Sequence, residues 1–333
     1  MLYSIVSVIE LSFLLCFYQG LEVFKKNMKI WILSKKSENG SYENRRFKEA
    51  AHEMGIEAVI VSPDEFEIIV TKEGKKSILY AGQRIDLPDC LIPKMGASTT
   101  YFALAVIRHL ERLGVFVLNS SQSVETAKDK LATLQILNAN NIPIPKTMLA
   151  KFPLNIEAVE KEFTYPVILK TVSGAQGKGV FLCENRDELE DLADLIEITK
   201  DPKVNVILQE FLTTSKGKDI RVFVVGGRAI GSMLRTARDG KFKANFSQGG
   251  QTTAYDLNPH IEWLSVESSK QVGLNMAGVD ILFDGDSYKI CEVNSSPGFK
   301  GFESATGTNV PHEIFEYIKL RLGIHNDKPA DKA

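Results

Sequence analysis

The stretch Gly278–Gly298, GVDILFDGDSYKICEVNSSPG, decides the fold. It reads as two strands, Val279–Phe283 and Tyr288–Val293, joined by the turn residues Asp284, Gly285 and Asp286. Glu292 and Asn294 are two apart, so an extended strand turns both to one face, and Asp280 on the partner strand lies roughly opposite them. Three oxygen donors therefore converge. Mg²⁺ prefers oxygen and is commonly held by one or two carboxylates together with substrate phosphates, so the hairpin outlines a nucleotide–metal site. The alternative is a hairpin with solvated acids. Against it, Asp280 and Glu292 interrupt otherwise apolar strands, and a buried charge needs a partner.

Around this hairpin lies a chain of 333 residues, 44% apolar and 25% charged, which can build two or three units with real cores. A net charge of −2 leaves no nucleic-acid footprint. The four cysteines, Cys16, Cys90, Cys183 and Cys291, show neither CxxC nor Cys/His spacing, which argues against a zinc site or a disulfide framework and fits a reducing cytoplasm. Residues 1–27 are an apolar extension or a mis-set start: the run lacks a basic beginning and carries Glu10 in its middle, which is expensive in a bilayer. The other reading is an inner-face membrane anchor. Met28 then opens MKIWILS, a natural first strand.

From Met28 strand and helix alternate: Ile30–Leu33, a helix Arg45–Met54, the strand Ala58–Val61, a helix Phe102–Leu113 and the strand Val115–Leu118. This makes an amino-terminal α/β unit over 28–122, with Tyr42, Arg45, Arg46 and the PKMG stretch Pro93–Gly96 in its loops. A second unit spans 123–323 in two lobes, roughly 123–208 and 209–323, and residues 324–333 form a frayed tail. Its first helix is expected over Ala127–Ala139, capped by Ser123 or Thr126 and stopped before Pro143 and Pro145. The strands Val167–Val172 and Val180–Cys183 flank the glycine-rich loop SGAQGKG, then a helix Arg186–Ile198 leads to the strand Val204–Glu210. Asp219–Ala237 reads as strand, Gly-Gly turn and strand.

Gly174, Gly177 and Gly179 let backbone N–H groups approach a phosphate without Cβ obstruction. The pattern is neither GxxxxGK[ST] nor GxGxxG. Lys170 feeds the loop and Lys130 stands earlier on a helix, two point charges suited to a polyphosphate. Gln209, Glu210, Phe211 and Leu212 end an apolar strand, a junction that can offer backbone groups to an adenine edge, and Asp219 sits where it could accept from ribose hydroxyls. Arg221 and Arg235 are spaced to point from one β-ribbon into a common cleft, where arginines suit a transferring phosphoryl group or a substrate carboxylate. Taken singly, a solvated lysine, a hairpin turn or a ribbon salt bridge explains each of these as well.

Together, Lys130, Lys170, SGAQGKGV, LQEF, DIR, Asn245, GVDIL and EVNSSPG resemble the ATP-grasp ligases, most closely the RimK-type α-L-glutamate ligases, from Met28 to about Gly323. The resemblance implies an α/β (α+β) architecture: an ATP-grasp fold of two lobes clamping the nucleotide, behind an amino-terminal α/β pre-ATP-grasp domain. It assigns ATP contacts to Lys170, to Glu210–Asp219 and to Lys243–Asn245, and Mg²⁺ or Mn²⁺, two ions in all, to Asp280, Glu292 and Asn294. The chemistry it implies is attack of a carboxylate on the γ-phosphate of ATP, then attack of an amine on the acyl phosphate, leaving an amide, ADP and phosphate. No nucleophilic side chain is needed, and Arg221 or Arg235 would stabilise the charge in transfer. The substrates implied are L-glutamate and a carboxylate-bearing protein, peptide or cofactor acceptor, in the cytoplasm, with dimers or tetramers common among related ligases. The chain departs from the ribosomal-protein-modifying members at KANFSQGG, where they carry RSNxHRGG, and at PKMG, where they carry PRxG. The loss of basic character argues for a different acceptor. Two other readings compete: a nucleotide-binding module without catalysis, and a dipeptide ligase of the D-alanine type.

Overall fold

The computed structural model describes residues 28–35, 40–72, 77–96, 99–171, 179–199, 205–238, 242 and 250–324. Gly174, Gly177, Lys243, Asn245 and the segment 1–27 lie outside the described residues.

The amino-terminal unit is a four-stranded parallel sheet in the order β2-β1-β6-β7, with β1 (Lys29–Leu33), β2 (Glu57–Val61), β6 (Cys90–Pro93) and β7 (Phe116–Val117). Helix α1 (Tyr42–Glu53) follows β1 and α2 (Tyr101–Arg112) follows β6. Strand β1 reads KIWIL because both faces are covered. Ile30 and Ile32 pack with Phe47, Ala50 and Ala51 of α1, while Trp31 and Leu33 pack with Ile107 and Leu110 of α2. Ser41 caps α1 and Thr100 caps α2, each accepting from a backbone N–H of the first turn. Residues 62–89, to which the sequence assigns no element, hold a small sheet of β3 (Phe66–Ile68), β4 (Ile78–Tyr80) and β5 (Gln83–Arg84).

The expected helix Ala127–Ala139 is two helices, α3 (Ser121–Lys128) and α4 (Lys130–Ala139). Asp129 breaks the run: its backbone is extended and its carboxylate accepts from the Ala132 N–H, so it caps α4. Ser120, rather than Ser123 or Thr126, caps α3.

Next comes an antiparallel sheet in the order β10-β9-β11-β8, built from β8 (Thr147–Lys151), β9 (Val167–Thr171), β10 (Val180–Cys183) and β11 (Asn205–Glu210). Helices α5 (Ile156–Glu162) and α6 (Arg186–Thr199) cover the face that carries Val167, Leu169, Val206 and Leu208. Strand alternation turns Lys170 and Gln209 to the other face.

The last sheet has the order β14-β13-β12-β15-β16, all antiparallel: β12 (Lys218–Val225), β13 (Arg228–Thr236), β14 (Gln251–Ala254), β15 (Met276–Asp284) and β16 (Ser287–Asn294). Gly226 and Gly227, both at positive φ, close the β12–β13 turn as the twist of a tight hairpin requires. One face, with Ile220, Val222, Val224 and Val279, packs on Ile261 and Leu264 of α7 (Pro259–Gln271) and on Leu137 of α4. The other face is divided. Its apolar end, Phe223, Val225, Met233 and Met276, shares a core with Phe47 of α1, with Phe302 of α8 (Lys300–Thr306) and with Phe315 of α9 (Val310–Leu322). Its polar end holds the candidate site.

One buried amide adds four polar bonds between the amino-terminal unit and the last sheet. Asn119, fully buried just after β7, donates to Met276 O and Ser295 O (2.7 and 2.9 Å) and accepts from the N–H groups of Asn275 and Met276 (2.7 and 2.8 Å). Among the described residues no helix is long and apolar enough to cross a membrane.

Candidate active site

Asp219 and Arg221 precede Phe223 at intervals of two on β12, so they share its face and continue it from apolar to charged. Cross-strand register then assembles the rest. Asp219 stands opposite Arg235, Arg221 opposite Asp280, and Asp280 opposite Glu292, with Asn294 opposite Gly278. The hairpin read from the sequence is formed with Asp280 opposite Glu292, but its strands run longer than expected, Asp284 pairs with Ser287 rather than lying in the turn, and the register shifts after Asp280.

The four central charges close on one another. Arg221 grips Asp280 with two bonds of 2.6 Å, Nε to Oδ1 and Nη2 to Oδ2. Arg235 grips Asp219 in the same way, at 2.6 and 2.7 Å, and its Nη2 also lies 3.0 Å from Asp280 Oδ2. Burial alone would push the Asp280 carboxyl up, but the two guanidiniums outweigh it and hold the group below the usual carboxylate range. Arg235 stays charged for the converse reason: burial works against it, and Asp280 and Asp219 more than offset that. The sequence aims Asp219 at ribose hydroxyls; in the structure both of its oxygens accept from Arg235.

Glu292 is different. Its carboxylate makes no hydrogen bond or ion pair with any described residue, although it stands directly across from Asp280. Asn294 Nδ2 donates to Gly278 O at 3.2 Å and lies 3.5 Å from Asp280 Oδ2. No cluster of three or more His, Cys, Asp or Glu able to hold a metal forms among the described residues. The donor set here is instead two carboxylates and an amide oxygen. An unpartnered carboxylate within an all-oxygen set fits Mg²⁺ completed by substrate phosphates.

A β-bulge shapes the cleft. Register shifts between Asp280 and Ile281, so Asp280 pairs with Glu292 but Ile281 pairs with Ile290. Ile290 and Val293, three apart, thus both reach the core under α7, and Cys291 and Glu292 both turn to the opposite face. Cys291 Sγ comes 3.8 Å from Lys170 Nζ, which brings the two antiparallel sheets face to face. Burial pushes the Cys291 thiol up and keeps it protonated.

On the facing sheet, Lys170 Nζ donates to Gln209 Oε1 at 2.5 Å, and Gln209 Nε2 donates to Thr147 Oγ1 at 3.0 Å. Gln209 is buried and both ends of its amide are engaged, so it orients Lys170. Glu210 Oε1 accepts from the Lys146 N–H and from Lys289 Nζ, both at 2.7 Å. Beyond it, the Phe211 N–H and C=O and the Leu212 N–H make no hydrogen bond among the described residues, the arrangement expected of a strand end that reads a base edge. Gly179 closes the β9–β10 hairpin at φ 73°, where a Cβ would lie 2.3 Å from Thr171 Oγ1, so only glycine fits. Lys130 begins α4, and no hydrogen bond or ion pair joins it to the other candidates among the described residues.

The amino-terminal unit walls the far side. Lys94 of PKMG donates to Ser296 Oγ at 3.3 Å and lies 6.0 Å over the Phe299 ring. Tyr42 donates to Glu303 Oε2 at 2.6 Å; Arg46 donates to the same oxygen and to Asn309 Oδ1, each at 3.1 Å. Lys289, Cys291 and Glu303 escape the sequence reading. The first two could have been found from the Ile290/Val293 spacing, which breaks strand alternation.

Two family models cover this architecture. The RimK pre-ATP-grasp domain matches residues 28–124 and the RimK-like ATP-grasp domain matches residues 127–318. A protein of Rhodopirellula baltica named probable alpha-L-glutamate ligase is 38% identical over 296 residues, covering 89% of this chain and 72% of that protein. One of the same name from Hydrogenovibrio crunogenus is 35% identical over 306 residues, covering 92% of this chain and all 100% of that protein. Among solved structures, the ATP-grasp ligase PsnB complexed with minimal precursor superposes with a TM-score of 0.70 at 21% identity, over 89% of this chain and 99% of that one. PsnB complexed with minimal precursor, Mg and ADP superposes at 0.67 and 20% identity, over 88% and 98%. The fold expected from the motif set is thus borne out.

Proposed function

The chain belongs to the RimK-like ATP-grasp family of ATP-dependent ligases, and from that premise we propose that it joins L-glutamate to a carboxylate-bearing protein, peptide or cofactor acceptor, with release of ADP and phosphate. One observation carries the reading: the unpartnered Glu292 carboxylate stands beside Asp280 and Asn294 in relatives' shared fold, where Mg²⁺–ATP needs oxygen donors.

In the proposed reaction the acceptor carboxylate attacks the γ-phosphate, its oxygen forming the new P–O bond as ADP leaves. The glutamate amine then attacks the acyl carbon, loses a proton and expels phosphate. Asp280, Glu292 and Asn294 would hold Mg²⁺, whose contribution is to neutralise phosphate charge. Lys170, oriented by Gln209, places a cation beside the phosphates. Phe211 and Leu212 present their free backbone groups to adenine. Arg221, tied to Asp280 and less buried than Arg235, offers its guanidinium to charge that develops during transfer. Arg235 holds the position of both acids.

The test is ADP release with Mg²⁺–ATP and L-glutamate against a panel of acceptors, followed by mass analysis of the acceptor. Release that needs both substrates, with the acceptor gaining one or more glutamyl residues, is the expected result. A chain that binds Mg²⁺–ATP tightly yet forms no ADP with any amino acid and acceptor would overturn the reading.

A further inference from the structure

Phe211 and Leu212 hang between two anchorages. On the Glu210 side, the backbone N–H donates to Lys146 O at 3.0 Å and the carboxylate accepts from the Lys146 N–H and from Lys289 Nζ. On the other side, Thr214 Oγ1 donates to Phe283 O at 2.8 Å and accepts from the Gly285 N–H at 3.2 Å. Ser215 Oγ accepts from the Phe283 N–H, also at 3.2 Å. Both anchorages run to the β15–β16 hairpin. The far one uses its backbone, which the sheet already fixes. On the near side Lys146, just before β8, holds Glu210 through two backbone groups, and the link to the hairpin is one side chain, Lys289, which also lies 3.1 Å from Asp284 at the hairpin tip.

Lys289 reaches across because of the bulge-bearing strand. Tyr288 and Ile290 face the core under α7, so Lys289 faces the cleft and the opposing sheet. Glu210 belongs to that opposing sheet, and the pair therefore spans the two walls of the cleft beside the segment with free backbone groups.

Resting on the ATP-dependent reaction proposed above, we infer that Lys289 is a positioning residue for base recognition: it holds Glu210, and so fixes the Phe211–Leu212 backbone edge against the purine without touching the nucleotide. That edge offers one carbonyl and adjacent N–H groups, a match for the amino-bearing edge of adenine and a mismatch for the oxo-bearing edge of guanine. A loosened edge loses discrimination as well as affinity.

The test measures ATP and GTP dissociation constants and the KM and kcat for ATP on the full chain, for wild type, Lys289→Met and Lys289→Arg. Lys289→Met is expected to weaken ATP binding by about tenfold, the scale of one charge-assisted hydrogen bond. The ATP-over-GTP preference should fall, KM should change more than kcat, and Lys289→Arg should restore most of both. A folded Lys289→Met chain whose ATP affinity and ATP-over-GTP ratio match wild type overturns the inference, as does an equal loss for both nucleotides, which is mere structural damage. If thermal melting shows that Lys289→Met does not fold, Glu210→Gln takes the same measurements from the other partner. A wild-type chain that binds no ATP overturns the proposed function itself.

Discussion

Arg221 and Asp280 face each other across neighbouring antiparallel strands and close a two-bond pair, each bond 2.6 Å. The fork of a guanidinium matches both carboxylate oxygens at once, which an ammonium cannot do. Arg221→Lys should keep the charge but lose the fork, lowering kcat by about 10²–10³ while stability falls much less, because a cation remains beside Asp280. Steady-state ADP release and thermal melting together check this. A lysine variant with wild-type kcat would remove Arg221 from the chemistry.

Arg235 sits deeper, with 3% of its side chain exposed, and serves two acids at once. A buried pair adds little net stability, but removing one partner strands the other. Arg235→Met leaves Asp219 and Asp280 facing each other with one cation fewer, and should cost about 3–5 kcal/mol in urea unfolding. Adding Asp219→Asn should recover part of that loss. Equal stability of Arg235→Met and wild type would show that the charges are solvated rather than paired.

Glu292 makes the opposite case. With no partner to lose among the described residues, Glu292→Gln should change folding stability by no more than about 0.5 kcal/mol. The same variant should abolish Mg²⁺-dependent ADP formation, and chelation of Mg²⁺ should do so in the wild type. Magnesium titration followed by ADP release separates the two effects; a variant that responds to Mg²⁺ as wild type does would take Glu292 out of the metal set.

The candidate site's main face was legible because a strand has a period of two and the Asp284–Asp286 stretch signals a hairpin, whose turn lies at Gly285 and Asp286; together these put Asp280, Glu292 and Asn294 side by side. What was not legible follows from the limits of local pattern. A bulge leaves no mark in composition; its one trace in the sequence is the three-residue spacing of Ile290 and Val293, and that spacing puts Cys291 and Lys289 in the cleft once both apolar residues are taken to share one core. Asp129 is compatible with a helix interior as well as with a cap, which hid the break between α3 and α4. The Tyr42–Glu303 bond joins residues 261 apart in the chain, and no window of sequence contains both. Asn119 stands in an ordinary loop, and its four bonds exist only once β15 is docked.

That long-range bond carries the last prediction. Burial, then the hydrogen bond to Glu303 and the charge of that carboxylate, push the Tyr42 phenol up to about 12 from an ordinary value of about 10. A group raised on folding contributes stability that is complete below its unfolded pKa and is lost as pH rises through its folded one. Tyr42→Phe should therefore be less stable than wild type at pH 8, by about 1–2 kcal/mol for a bond to a charged acceptor. The gap should hold to about pH 10 and shrink between about 10 and 12. Urea midpoints of both chains across this range, with absorbance titration of the phenols, make the measurement: the variant should lack one tyrosine of the late-titrating class. A gap that stays constant to the alkaline limit would mean that Tyr42 does not donate to Glu303, and that Arg46 makes the bond to that carboxylate without it.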